Sequence, residues 1–127
     1  MSESIGRTLL QQRIRNRLMD VLEIASAFDE IARCGTSETI NLWEDWYRES
    51  DSDFYAEPVF SVSERKQIIE FSKVWNETAE VEEDNTFDPE KLKTLPHWCR
   101  FRDAAETALR VFEQRGRCSE DKEQFQA

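Results

Sequence analysis

An apolar stripe with helical spacing runs through the first quarter of the chain. Between Arg7 and Cys34, apolar side chains recur at intervals of three and four residues, as on one face of an α-helix. At 1.5 Å per residue this segment predicts one helix about 42 Å long, and Gly35 is suited to end it. The stripe consists of Leu10, Ile14, Leu18, Val21, Ala25, Phe28 and Ala32.

Two further long helices are predicted in the middle of the chain. The second helix begins near Thr36 or Ser37 and runs to about Glu49, and a loop follows it as far as residue 58. The third begins after a cap, for which Ser61 and Ser63 are equally suited. Its buried side is predicted to hold Ile68, Phe71, Val74 and Trp75.

A short helix and a last long helix complete the pattern. Asp88 suits the cap of the short helix and Pro89 its first turn. The last helix starts near Pro96 and continues to Gly116. The remaining residues, 117–127, are predicted to form a frayed tail. The inner face of the last helix is formed by Trp98, Phe101, Ala105, Ala108 and Phe112.

The predicted fold class is all-α. The best candidate for a strand, residues 59–62, is only four residues long. A chain of 127 residues fits a single domain. We therefore expect one helical domain over residues 1–127, an irregular antiparallel bundle of four main helices plus one short helix, with the long amino-terminal helix as its spine.

The formal net charge of −10 is concentrated in the middle of the chain. Residues 37–90 carry four basic and sixteen acidic side chains, whereas residues 1–36 are neutral and residues 91–127 carry a net charge of +2. Nucleic acids and anionic membranes attract clustered Lys and Arg, so neither is an expected partner. A basic partner is favoured. Arginines near the carboxyl end either form an opposite pole or pair with the acidic middle: Arg100, Arg102, Arg110, Arg115 and Arg117.

The sequence also indicates a compartment. Its first residues lack the basic and apolar regions of a signal peptide. No stretch approaches the roughly 18 apolar residues of a transmembrane helix. Three cysteines at wide spacing suit thiols that are kept reduced better than they suit a disulfide framework. We therefore expect a cytoplasmic protein.

The chain has few residues of the types that bind metal ions or act as nucleophiles. His97 is the only histidine, so a di-iron site with two histidines is excluded. A zinc site made of Cys34, His97, Cys99 and Cys118 lacks the usual close pair of cysteines. His97 and Cys99 are two positions apart, so they diverge by about 200° on a helix and cannot form a dyad there. We expect no cofactor, no metal and no catalytic residue.

Residues 43–57 form the most distinctive segment, with five aromatic rings, six acids and one basic residue, Arg48. Aromatic faces and carboxylates both attract guanidinium and ammonium groups, and large aromatic residues are common anchors of interfaces. The segment therefore predicts a binding surface for a basic protein. The predicted partner-binding residues are Trp43, Asp45, Trp46, Tyr47, Glu49, Asp51, Asp53, Phe54, Tyr55 and Glu57.

A plainer interpretation competes for the rings of this segment. Trp43, Trp46 and Tyr47 share a helical face, which favours the core as the place of the two tryptophans while the acids face water. Phe54 and Tyr55 fall in a predicted loop, where burial and exposure are equally expected.

These observations favour a non-enzymatic interaction protein, such as an inhibitor, an immunity protein or a chaperone. One alternative is a small-molecule-binding or enzymatic bundle with a pocket lined by Trp75, His97 and Trp98. Another is a mimic of nucleic acid, because the acidic middle would suit a DNA-binding protein.

Overall fold

The computed structural model describes residues 6–82 and 85–125, in which the regular elements are helices and no strand occurs. The helices pack against one another, so the predicted all-α bundle is confirmed. One 3₁₀ helix, Glu49–Phe54, lies in the segment predicted to be a loop. The α-helices are α1 (Arg7–Ala25), α2 (Phe28–Cys34), α3 (Thr36–Trp46), α4 (Val62–Val81), α5 (Pro89–Leu92) and α6 (Pro96–Glu113).

The single long helix predicted at the amino end is wrong, because the chain breaks it after residue 25. Ala27 has an extended backbone (φ −132°, ψ 120°) that cannot continue a helix. The hydroxyl of Ser26 donates a 2.9 Å hydrogen bond to the carbonyl of Glu23. Such bonds compete with the helical backbone. The apolar stripe is therefore shared between a 19-residue α1 and a seven-residue α2.

Gly35 joins α2 to α3, and it ends α2 as predicted. Its φ of 90° lies in the left-handed region, which favours glycine. A Cβ atom at this position would lie 2.7 Å from the ring of Phe87. Helix α3 begins directly after it and ends at Trp46, earlier than predicted, because Tyr47 has an extended backbone (φ −116°, ψ 129°).

Helix α4 begins with a capping box. The Ser61 hydroxyl accepts a hydrogen bond from the backbone N–H of Glu64, and the Glu64 carboxylate accepts one from the N–H of Ser61, each 3.1 Å long. Ser61, rather than Ser63, is therefore the cap. The predicted inner residues of α4 are buried at Ile68 and Phe71 and partly buried farther along the helix.

Helix α6 lies at the centre of the bundle, since it packs against both α1 and α4. Its five predicted inner residues are all buried, which confirms that face. The short α5 precedes it and begins after Asp88, whose carboxylate accepts a 3.0 Å hydrogen bond from the N–H of Glu90. The prediction of a proline-initiated short helix is also confirmed.

The prediction of a frayed tail is wrong for residues 117–125, which lie along α1; the last two residues of the chain are outside the described part. The Asn16 side chain donates to the carbonyl of Cys118 and accepts from its N–H, both at 2.9 Å. Gln12 donates to two other carbonyls of the tail and accepts from the N–H of Gln124 at 2.7 Å. These hydrogen bonds hold the segment in place, although its sequence has no periodic apolar pattern.

Candidate interaction surface

The six acids of residues 43–57 all lie at the surface. We call this segment the acidic–aromatic surface. Among the described residues, only one of its carboxylates approaches a cation: Asp53 lies 3.9 Å from Arg65. The carboxylates without an ion pair in this part of the chain are those of Glu44, Asp45, Glu49, Asp51 and Glu57.

The five rings of the acidic–aromatic surface divide into two groups. Trp43 is 1% exposed and Tyr55 is 4% exposed, so for these two the plainer interpretation holds and both belong to the core. Trp46, Tyr47 and Phe54 are partly exposed and pack against that core. Rings and carboxylates therefore share the surface, but fewer rings reach solvent than the sequence allowed.

Tyr55 fixes the 3₁₀ helix against the end of α3. Its hydroxyl donates to the carbonyl of Trp46 at 2.8 Å and accepts from the N–H of Arg48 at 3.1 Å. Burial raises the pKa of Tyr55, so the hydroxyl stays protonated at neutral pH and can donate. The acidic residues between these contacts are held in place rather than left on a free loop.

Helix α1 holds the same segment from the other side. The Gln11 amide donates a 2.6 Å hydrogen bond to the carbonyl of Phe54, and Arg7 donates a 3.2 Å bond to the carbonyl of Asp53. The Arg7 guanidinium also lies 5.6 Å from the centre of the Phe54 ring. Both contacts join residues more than forty positions apart, so the surface depends on the folded bundle.

A groove of about 620 Å³ separates the acidic–aromatic surface from α4. We call it the α3–α4 groove. Its aromatic lining comes from Trp43 and Tyr47 on one side and Trp75 on the other. The Trp43 indole N–H donates to the Ser72 hydroxyl at 3.2 Å, and the Trp75 indole N–H donates to the carbonyl of Ile40 at 2.9 Å. Each indole thus ties one helix to the other.

A second groove, of about 390 Å³, continues along α4 and shares Ile69 with the first. Glu57 belongs to its lining. The exposed fractions of Ile69 and Val62 are 45% and 69%, which places two apolar side chains on the outer face of α4. Two apolar side chains therefore lie beside the acids, together with Arg65 and Lys66 in the lining of the same groove.

The arginines near the carboxyl end form no described ion pair with the acidic–aromatic surface, although a hydrogen bond to Glu64 and, less strongly, the charge of Glu57 raise the pKa of Arg115. Arg102 and Arg110 both pair with Glu106 on their own helix. Arg117 pairs with two acids of α1, each at 2.7 Å. Arg115 pairs with Glu64 at 2.7 Å, and Glu64 lies outside the surface. The described contacts leave the charge of the surface largely uncompensated.

The residues of the alternative pocket do not meet in either groove. Trp75 lines the α3–α4 groove, whereas neither groove is lined by His97 or Trp98. Trp98 is 1% exposed, and its indole N–H donates to the Glu82 carboxylate at 2.9 Å. The rings of His97 and Trp98 lie side by side with their centres 6.2 Å apart.

The described residues offer neither a metal site nor a membrane-spanning helix. Between residues 6 and 82 and between 85 and 125, no group of three or more His, Cys, Asp or Glu side chains is placed to hold a metal ion. None of the helices in these ranges is long and apolar enough to cross a membrane. The three cysteines are unpaired, and burial raises the pKa of the Cys118 thiol, which lowers its reactivity at neutral pH.

The α4 side of the groove is missing from the predicted partner-binding residues. Ile69 and Ser72 have no signal of their own in the sequence, because exposed positions of an amphipathic helix carry no packing constraint. The apolar spacing predicts Trp75 on the buried side of α4, yet its ring is partly exposed and its indole N–H donates to Ile40 of α3. One feature of the sequence could have indicated this contact: an indole at the edge of an apolar face needs an acceptor for its N–H group.

No protein-family model, curated protein or solved structure matches the chain, so its function is inferred from its own residues.

Proposed function

We propose that the chain is a non-enzymatic, cytoplasmic interaction protein that binds a basic protein through the acidic–aromatic surface. An inhibitor, an immunity protein and a chaperone all fit this description. The proposal involves no cofactor and no nucleic-acid partner.

The observation that carries the proposal is the exposure of the six carboxylates. One of them, on Asp53, lies 3.9 Å from Arg65. An exposed ion pair at that distance contributes little free energy, because solvent screens it. The others have no ion pair within the described residues. Like charges gathered on one segment produce a negative potential that attracts a cationic protein and accelerates its encounter.

The partly exposed rings supply the second property of an interface. Trp46, Tyr47 and Phe54 lie among the acids with part of each ring open to solvent. Aromatic side chains bury a large area at low entropic cost, and they are enriched in the small set of residues that dominates binding energy. Charge would then guide the partner to the surface, and the rings would hold it there.

A capture experiment at low salt tests the proposal. The tagged chain is compared with the triple variant Asp51→Asn, Asp53→Asn, Glu57→Gln, in which three exposed acids of the surface are neutralised. The matched control, Glu77→Gln, Glu80→Gln, Glu113→Gln, changes the net charge equally at exposed positions elsewhere. We expect a basic protein to be recovered with the wild type and the control, and at least tenfold less with the triple variant.

Two results would redirect or overturn the proposal. Equal recovery of the partner with both triple variants would show that the acidic–aromatic surface does not bind it. Displacement of a captured partner by duplex DNA would instead make the surface a mimic of nucleic acid. Circular dichroism of each variant establishes that the bundle is intact before the recoveries are compared.

A further inference from the structure

We infer that the α3–α4 groove is a guanidinium site that receives one arginine side chain of the basic partner. The inference rests on the proposed function, and it names the contact by which the partner is anchored. Three properties of the groove lead to it: its aromatic walls, the unpaired charge at its rim, and the fixed positions of its rings.

The ring surface open to the groove comes from Tyr47 and Trp75, which are partly exposed, whereas Trp43 is buried and supports them from behind. Both indole N–H groups are already occupied, that of Trp43 by Ser72 at 3.2 Å and that of Trp75 by the carbonyl of Ile40 at 2.9 Å. A ligand therefore meets the faces of two rings, with the polar side chains of Ser52 and Asn76 beside them. Planar guanidinium groups stack on such surface and are attracted by its π electrons.

The rim of the groove is negative. Glu44 and Glu49 line it, are exposed, and have no ion pair among the described residues. Lys73 is the one cationic residue that lines the groove in this part of the chain, and it lies 3.5 Å from Glu70 on the same helix, so the two carboxylates outnumber it at the rim. An entering cation thus meets two free carboxylates, and carboxylates form charge-assisted hydrogen bonds with guanidinium.

The rings are held in place before any ligand arrives. The two indole hydrogen bonds cross between α3 and α4, and the Trp43 ring is packed edge-on against Phe71, with 4.6 Å between ring centres. Tyr47 lies 5.5 Å from Trp43 by the same measure. A preorganised site avoids the entropic cost of ordering its own side chains on binding.

Arginine is favoured over lysine by the same geometry. An ammonium group is compact and strongly hydrated, so placing it against aromatic walls costs more desolvation than placing a planar guanidinium there. At about 620 Å³, the groove also falls within the usual range for ligand sites. It has room for the aliphatic stem of the side chain as well as its head group.

The test uses the full chain and three small probes. N-acetylarginine methylamide, its lysine counterpart and its uncharged citrulline counterpart are titrated while the four indole N–H signals are followed by NMR. The signals are assigned with single Trp→Phe variants. We expect the signal of Trp75, the partly exposed indole of the groove, to shift saturably with the arginine probe, with half-saturation at about 10 mM for one stacked ion pair. The lysine probe should bind more weakly, and citrulline should give no shift.

Two double variants test whether the carboxylates at the rim of the groove are responsible for arginine binding. Glu44→Gln, Glu49→Gln removes the rim carboxylates and should weaken arginine binding at least fivefold. The matched control, Glu77→Gln, Glu80→Gln, changes two exposed acids of α4 that do not line the groove, and it should leave binding within a factor of two. The Trp98 indole, which is occupied by Glu82, should not shift with any probe.

The outcomes separate this inference from the proposed function. Equal shifts with citrulline and arginine, or binding that survives loss of Glu44 and Glu49, would overturn the guanidinium site. If a basic protein is still captured through the acidic–aromatic surface in that case, the proposed function stands without the groove. Arginine binding in the groove without capture of any basic protein would support the site and contradict the proposed function.

Discussion

Arg15 and Glu64 form an ion pair in the interior, with 2.9 Å between Nη2 and Oε2 and with side chains that are 0% and 1% exposed. Arg115 approaches the same carboxylate at 2.7 Å. Glu64 also completes the capping box of α4, while Arg15 donates to the carbonyls of Phe112 and Gly116 near the end of α6. One carboxylate therefore links α1, α4 and the segment that follows α6.

Replacing Glu64 by Gln should be strongly destabilising. Arg15 would remain buried without a counter-charge, and breaking a buried pair by removing one partner costs about 3–5 kcal/mol. Urea denaturation of wild type and variant measures the loss in free energy of unfolding. Glu113→Gln, an exposed acid on α6, is the control and should change it by less than about 0.5 kcal/mol. A loss below about 1 kcal/mol for Glu64→Gln would mean that the pair stabilises little.

The same pair predicts the response to acid. Burial alone would raise the pKa of Glu64, but hydrogen bonds from Arg15 and Arg115 outweigh it and hold the pKa below its usual value. A carboxyl with a lowered folded-state pKa stabilises the fold above its unfolded pKa of about 4.3 and ceases to do so as the pH falls through the folded value. The difference in unfolding free energy between wild type and Glu64→Gln should therefore be constant near neutral pH and shrink below about pH 4. A difference that persists unchanged in strong acid would contradict this assignment.

The tail over residues 117–125 should behave as folded structure. Hydrogen exchange is expected to show protection at the amides of Cys118 and Gln124, which donate to Asn16 and Gln12. Asn16→Ala removes the clamp on Cys118 and should speed exchange in the tail while costing about 1–3 kcal/mol, the range for leaving buried polar groups unpaired. Exchange of the wild-type Cys118 amide at the rate of an unstructured peptide would contradict the packed tail.

Quenching of tryptophan fluorescence by ions should report the electrostatic potential at the acidic–aromatic surface. Trp46 and Trp75 are partly exposed beside the acids, whereas Trp43 and Trp98 are buried. Each quenching constant is divided by that of free N-acetyltryptophanamide, because Cs⁺ and I⁻ differ in intrinsic efficiency. At equal low ionic strength, the normalised constant should be larger for Cs⁺ than for I⁻, because the negative surface concentrates the cation. Added NaCl should reduce the difference by screening. A larger normalised constant for iodide would show that the exposed indoles do not lie in a negative field.

Apolar spacing predicted the parts of the fold whose stability comes from packing. The inner face of α6 follows directly from residue order, whereas the cap of α4 was narrowed to Ser61 or Ser63 and the structure decides for Ser61. The break at Ser26 and Ala27 could not be predicted from the apolar stripe, because Ala27 is a good helix former and no Gly or Pro marks the position. The tail was missed because it is held by side-chain amides of α1, which leave no periodic pattern.

The candidate surface was predictable in part. Its carboxylates were correctly placed at the surface by their density, since so many acids cannot be buried without partners. The sequence could not decide which rings are enclosed. Trp43 packs against Phe71 of α4, which is distant in sequence, and Tyr55 packs against Phe60 in a segment without helical spacing. The groove depends on the same long-range packing, so its α4 lining had no local signal.

Steering by the acidic–aromatic surface is tested by the association rate of the captured partner, measured by stopped flow over a range of ionic strength. We expect the wild-type rate constant to fall at least about tenfold between low and physiological salt. For the variant Asp51→Asn, Asp53→Asn, Glu57→Gln, the rate constant should be lower at low salt and less dependent on salt, with the dissociation rate little changed. Identical rates and identical salt dependence for the two proteins would contradict the claim that the acidic–aromatic surface steers the partner.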